Sequence, residues 1–132
     1  MLANQSSEDY LEAILILSNR LPVVRSVDIS NELGYKKSSV SVAMKHLREK
    51  KQIEVSDAGY ITLTPEGKEI AESVYERHLW FSRWLTNLGV DSKTAEDDAC
   101  RLEHVISQDS FEAIKRHCFS CAVSSCFNRK ND

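Results

Sequence analysis

Between Val27 and Leu63 the apolar residues change period, and that change admits few folds. Val27, Ile29 and Leu33 space as a short amphipathic helix, and Gly34 permits a tight turn. Val40, Ala43, Met44 and Leu47 then predict a second helix from about Lys37 to Glu49, whose start Ser38 or Ser39 can cap. From Ile53 the period shortens towards two. Ile53–Val55 and Tyr60–Leu63 predict two strands joined by a turn through Asp57, Ala58 and Gly59. Helix, tight turn, helix and hairpin in this order make a winged helix-turn-helix.

The remaining segments read as helices. Tyr10, Leu11, Ile14, Leu15 and Leu17 predict one over about 7–19, ended by Asn19 to Pro22. Thr64 caps another, with Pro65 at its first position, which runs to about Thr86 before Asn87 and Gly89 stop it. Two more span about Ser92–Ile106 and Asp109–His117. The expected fold is mainly α with a small β-hairpin wing: a winged helix-turn-helix domain over 1–70 and an all-helical domain over 71–132.

With 17 basic and 20 acidic residues among 132, the net charge of -3 counts at first against a nucleic-acid partner. Basic and acidic residues balance through residue 64, however, and the excess acid lies beyond it. Residues 36–51 carry a net +5. A solvated basic face presented to a protein partner is one account of such a run. The other is a recognition helix in the DNA major groove. Lys36, Lys37, Ser38, Ser39 and Ser41 then face the DNA, Lys45 reaches a phosphate, and the turn at Gly59 touches the adjacent backbone. No apolar stretch approaches the roughly 20 residues that span a bilayer, and the opening MLANQSSEDY lacks a basic segment before an apolar run. A soluble, cytoplasmic protein with no membrane partner is expected.

A second constellation carries different chemistry. Asp9 and Glu12 share one face of the first helix, while Cys100, Glu103 and His104, at i, i+3 and i+4, share one face of another. His78 lies in the long helix between. Carboxylate, imidazole and thiolate groups in such a pattern suit a divalent transition metal. Each residue also has an ordinary reading. Ser6 and Asp9 resemble a capping box, Glu12 a solvated surface residue, Cys100 a small buried hydrophobe, and His78 a hydrogen-bonded histidine near the core.

SEDYLEAI, SSVSVAMKHL, LTPEGKEIAESVYERH and LEHVIS, in this order, resemble the MntR/DtxR family of metal-dependent transcriptional repressors, in its short form without an SH3-like domain. The similarity extends to about residue 116. It implies a homodimer that binds double-stranded DNA at a palindromic operator, with the helical domain serving dimerisation and metal binding. Asp9, Glu12, His78, Glu103 and His104 match the family's ligand positions. Position 100 departs: the manganese-responsive branch has glutamate there and the iron-responsive branch cysteine, while the iron branch usually lacks the Asp9-type carboxylate. Cys100 beside hard carboxylates favours Fe(II), then Mn(II), with Zn(II) third. Asp9, Glu12, Glu103 and a Cys100 thiolate would carry four negative charges, which suits a binuclear centre. The resemblance further implies that metal joins the two lobes as a co-repressor and sets the recognition helices roughly 34 Å apart. No residue beside these ligands reads as a nucleophile, so an enzyme is not expected.

His117, Cys118, Cys121 and Cys126 remain outside the resemblance. Cys-x-x-Cys followed by another cysteine offers a second metal or redox site. This leaves an alternative function, a winged-helix regulator that senses redox state or an Fe–S cluster through these residues.

Overall fold

The computed structural model describes the backbone of residues 2–122 and the side chains of residues 7–118. The elements run α1 (Leu2–Arg20), α2 (Ser26–Leu33), α3 (Lys37–Glu49), β1 (Ile53–Val55), β2 (Ile61–Leu63), α4 (Pro65–Asn87), α5 (Ser92–Val105) and α6 (Gln108–Ala122). They form two compact units, Met1–Val74 and Tyr75–Asp132, with the chain passing from one to the other within α4.

In the first unit α1 contributes Tyr10, Leu11, Ile14 and Leu17 to a core shared with Val24, Ile29, Val40, Met44, Leu47, Ile53, Ile61 and Ala71. Gly34 takes the left-handed conformation (φ 72°, ψ 24°) between α2 and α3, where a Cβ would be strained. Its N–H donates to the Ser30 carbonyl at 2.9 Å, and Ser30 Oγ donates to the Tyr35 carbonyl at 2.6 Å. The tight turn is thereby pinned from both sides. The hairpin pairs Ile53 with Leu63, Glu54 with Thr62 and Val55 with Ile61, and the Ile61 N–H also donates to the Val24 carbonyl. Alternation puts Ile53 and Ile61 into the core and leaves Glu54 and Thr62 in solvent.

Thr64 caps α4 as its sequence predicts: Oγ1 accepts from the Gly67 N–H at 3.2 Å and donates to the Lys51 carbonyl at 2.8 Å. Gly67 is required for another reason. A Cβ there would lie 1.9 Å from the Gln52 carbonyl oxygen, so the first turn of α4 rests directly on the backbone entering β1.

The second unit is built on the later part of α4 with α5 and α6. Phe81, Ala99 and Phe111 are buried, with Trp80, Trp84, Leu102 and Ile106 packed against them. The Trp80 ring meets Phe81 and Phe111 edge-on at 5.3 and 5.8 Å between centroids, the favoured aromatic geometry. Ala95 and Ala99 are fully buried on α5, and their small side chains turn that face inwards.

The structure revises several expected boundaries. α1 begins at Leu2 and α6 extends to Ala122, because no glycine or proline interrupts either segment. Ser6 therefore lies inside α1 and not at its start. Ser38 and Ser39 do not cap α3 either; Lys36 occupies the cap position without a side-chain hydrogen bond, and both hydroxyls are exposed on the first turn. β2 begins at Ile61, since Tyr60 completes the turn through its carbonyl, which accepts from the Ser56 N–H.

Candidate metal centre and DNA-facing helix

Cys100, Glu103 and His104 lie on α5 as their spacing requires, and Asp91 caps that helix by accepting from the Thr94 N–H. Glu103 is buried, at 1% exposed. Its two oxygens meet two imidazoles: Oε1 lies 2.9 Å from His78 Nδ1 and Oε2 lies 3.2 Å from His104 Nε2. A buried carboxylate needs such compensation, since an isolated charge is costly to desolvate. Cys100 Sγ lies 3.7 Å from the same His78 Nδ1. One ligand atom from each of His78, Cys100 and Glu103 lies within 4.8 Å of the other two.

Nitrogen, sulfur and oxygen thus converge on one small volume, and a proton on Nδ1 satisfies it when no cation does. Hydrogen bonds to Cys100 and Glu103 raise the His78 pKa to about 10 against the opposing effect of burial. The donor set fits a divalent transition metal, with imidazole and carboxylate suited to iron or manganese and thiolate to the softer ions.

The ordinary reading of Cys100 does not survive. Cys100 is exposed, so it is not a packed core cysteine. His78 is hydrogen-bonded and part-buried, as its ordinary reading has it, and its Nδ1 also faces the Cys100 thiol. Sequence spacing overlooks Glu96, whose Oε2 stands 3.7 Å from the other nitrogen of His78, Nε2. Its position four residues before Cys100, on the same face of α5, is the signal that would find it. Asp9 and Glu12 belong to the first unit, half-buried on α1 and three residues apart. His117 is exposed and Cys118 is 3% exposed, and neither joins a group of potential ligands among the described residues. The Cys121 side chain and Cys126 lie outside the described residues.

In the first unit Lys36, Lys37, Ser38, Ser39, Ser41 and Lys45 are all exposed on or immediately before α3, while Val40, Met44 and Leu47 of the same helix are buried. Gly59 sits in the wing turn with φ 85°. Among the described residues no helix is long and apolar enough to cross a membrane.

Residues 3–66 match the N-terminal DNA binding domain of the iron dependent repressors, and residues 64–124 match their metal binding and dimerisation domain. An HTH-type transcriptional regulator of Methanocaldococcus jannaschii is 35% identical over 115 residues, covering 85% of this chain and 91% of that protein. The transcriptional regulator MntR of Salmonella typhimurium is 33% identical over 107 residues, covering 81% and 68%. The solved structure of IdeR from T. acidophilum superposes with a TM-score of 0.71 at 27% identity, covering 83% of this chain and 53% of that one. The chain therefore spans about half the length of that structure. These similarities favour metal-activated regulation over sensing through the C-terminal cysteines, and the relatives are DNA-binding regulators rather than enzymes.

Proposed function

Because the chain belongs to the iron-dependent repressor family, we propose that it is a metal-activated transcriptional repressor that binds a palindromic operator as a homodimer. The observation that carries this reading is the convergence of His78 Nδ1, Cys100 Sγ and a Glu103 oxygen, within the segment that matches a metal binding and dimerisation domain. The exposed basic start of α3, within the segment that matches a DNA binding domain, supplies the other half.

A divalent cation, when bound, supplies the positive charge that lets a thiolate and carboxylates share one volume. Fe(II) ranks first and Mn(II) second because Cys100 adds a softer donor to otherwise hard ligands; Zn(II) ranks third. Glu103 offers each of its oxygens to a different imidazole, an arrangement that suits two cation positions and supports a binuclear centre. His104 belongs to the second of these. The motif match supports counting Asp9 and Glu12 among the ligands. Cys100 is exposed, and it would hold a cation as the thiolate.

The experiment is a metal titration of the full chain, prepared metal-free and handled anaerobically, with retention of a random-sequence DNA duplex pool as the readout. Fe(II) or Mn(II) is expected to switch on selection of a common sequence with two-fold symmetry, and Glu12→Ala and His104→Ala are expected to abolish the switch while leaving the helical fold intact. Equal DNA binding with metal and with chelator would overturn the proposal.

A further inference from the structure

Arg77 stands on the inward face of α4, three residues after the buried Val74 and four before the buried Phe81, and is itself only 9% exposed. That spacing calls for an apolar side chain, and arginine is almost never buried unless it is paired. Among the described residues, Arg77 Nη1 donates to the Ile106 carbonyl at 3.2 Å, and Nε lies buried with no partner. A guanidinium with several donors thus meets one neutral acceptor. Methionine or leucine would fill such a position at a lower desolvation cost, so folding alone does not select arginine. A break of this kind with local preference is expected where function chooses the residue.

The place of that one bond indicates the function. Ile106 leaves the end of α5 in an extended conformation (φ -97°, ψ 139°), and its side chain packs against the cluster of Phe81, Ala99 and Phe111. Glu103 and His104 lie within the turn before it, and Cys100 one turn earlier. On α4, Arg77 directly precedes His78. The bond therefore ties α4 to α5 next to the residues that face each other across the candidate metal centre. A cation at a helix C-terminus is favourable in itself. That need does not explain burial, since Val105 is 60% exposed and a basic residue on α5 could serve the same end from solvent. A buried cation on the helix that carries His78 does what a surface cap cannot, because it fixes the distance between the two helices. Metal ligands tolerate errors of only about 0.2 Å, so this distance matters more to the centre than to the fold.

We propose that Arg77 is a positioning residue of the metal centre, holding the end of α5 against α4 so that Cys100 and Glu103 meet His78 at ligating distance. The inference rests on the reading of this chain as a metal-activated regulator, and adds a residue that acts through its neighbours rather than as a ligand.

Arg77→Met keeps much of the side-chain length without the donors, and Arg77→Lys keeps the charge and a donating end. In metal-free Arg77→Met, hydrogen exchange at the amides of Glu103 to Ile106 is expected to quicken about tenfold, the loss of one hydrogen bond to a charged group, while those of Ala95 to Ala99 stay protected. The metal-free variant should melt at or above the wild-type temperature. Its Mn(II) affinity, read by electron paramagnetic resonance of the free ion, should nevertheless fall by roughly 10–100-fold. Arg77→Lys should recover most of both properties. Unchanged Mn(II) affinity in Arg77→Met, or a loss that Arg77→Lys shares in full, would overturn the inference and leave the regulator reading in place. Metal-free Arg77→Met melting well below wild type would overturn it too, since Arg77 would then serve the fold. Failure of the wild-type chain to bind either Mn(II) or Fe(II) would overturn both.

Discussion

Glu103 Oε1 lies 2.9 Å from His78 Nδ1, although 25 residues separate them and they belong to different helices. Glu103 is almost wholly buried, and the His78 side chain is 14% exposed. The pair therefore interacts with little solvent screening.

His78 is raised from 6.5 to about 10, first by its hydrogen bond with Cys100 and then by that with Glu103. A raised folded-state value means that the charged imidazole stabilises the metal-free fold fully below about pH 6.5 and loses that contribution as pH rises towards about 10. The melting temperature of metal-free protein should fall across this window, and His78→Gln should flatten the fall. Equal pH profiles for the two proteins would refute the assignment. Metal uptake at neutral pH should also release the His78 proton, measurable as a calorimetric enthalpy that depends on the buffer.

Glu103→Gln leaves nearly the same shape but removes the charge shared by both imidazoles. Fe(II) or Mn(II) affinity should drop by more than the roughly 10–100-fold typical of losing an outer partner of a ligand, as read by direct metal titration. His78 should return towards an ordinary value, visible by NMR titration of its ring. Unchanged metal affinity would remove Glu103 from the centre.

Cys100→Glu exchanges a thiolate for a hard carboxylate. Selectivity should move from Fe(II) and Zn(II) towards Mn(II), measured by competition between the metals on one sample. An identical metal ranking in wild type and variant would show that Cys100 does not contribute to selectivity.

Gly67→Ala separates propensity from packing. In an open helix the change would stabilise by up to about 1 kcal/mol. Here the new Cβ meets the Gln52 carbonyl oxygen, and a loss of about 1–3 kcal/mol is expected, read from denaturant unfolding. A more stable variant would show that this backbone contact relaxes freely.

Lys45→Ala removes one exposed cation from α3. Operator affinity should fall, and the slope of log affinity against log salt should become shallower by about 0.9, with the preferred sequence unchanged. An unaltered slope would place Lys45 away from the phosphates.

The α3 boundaries, Lys37–Glu49, and the β1 strand were legible in the sequence because hydrophobic period, a turn glycine and a change from helical to alternating pattern are local signals. The same local geometry places Cys100, Glu103 and His104 on one helix face. Spacing within a helix carries no information about what faces it from another helix. That Glu103 is buried, that its oxygens divide between His78 and His104, and that Glu96 stands behind the far nitrogen of His78 were decided when α4 packed beside α5. The same holds for Gly67, which the sequence shows only as a glycine in a helix, and for Arg77, whose burial depends on which side of α4 the core claims. Sequence periodicity determined which elements form; burial and charge compensation between them determined which side chains can act together, because desolvation and contact are properties of the packed chain.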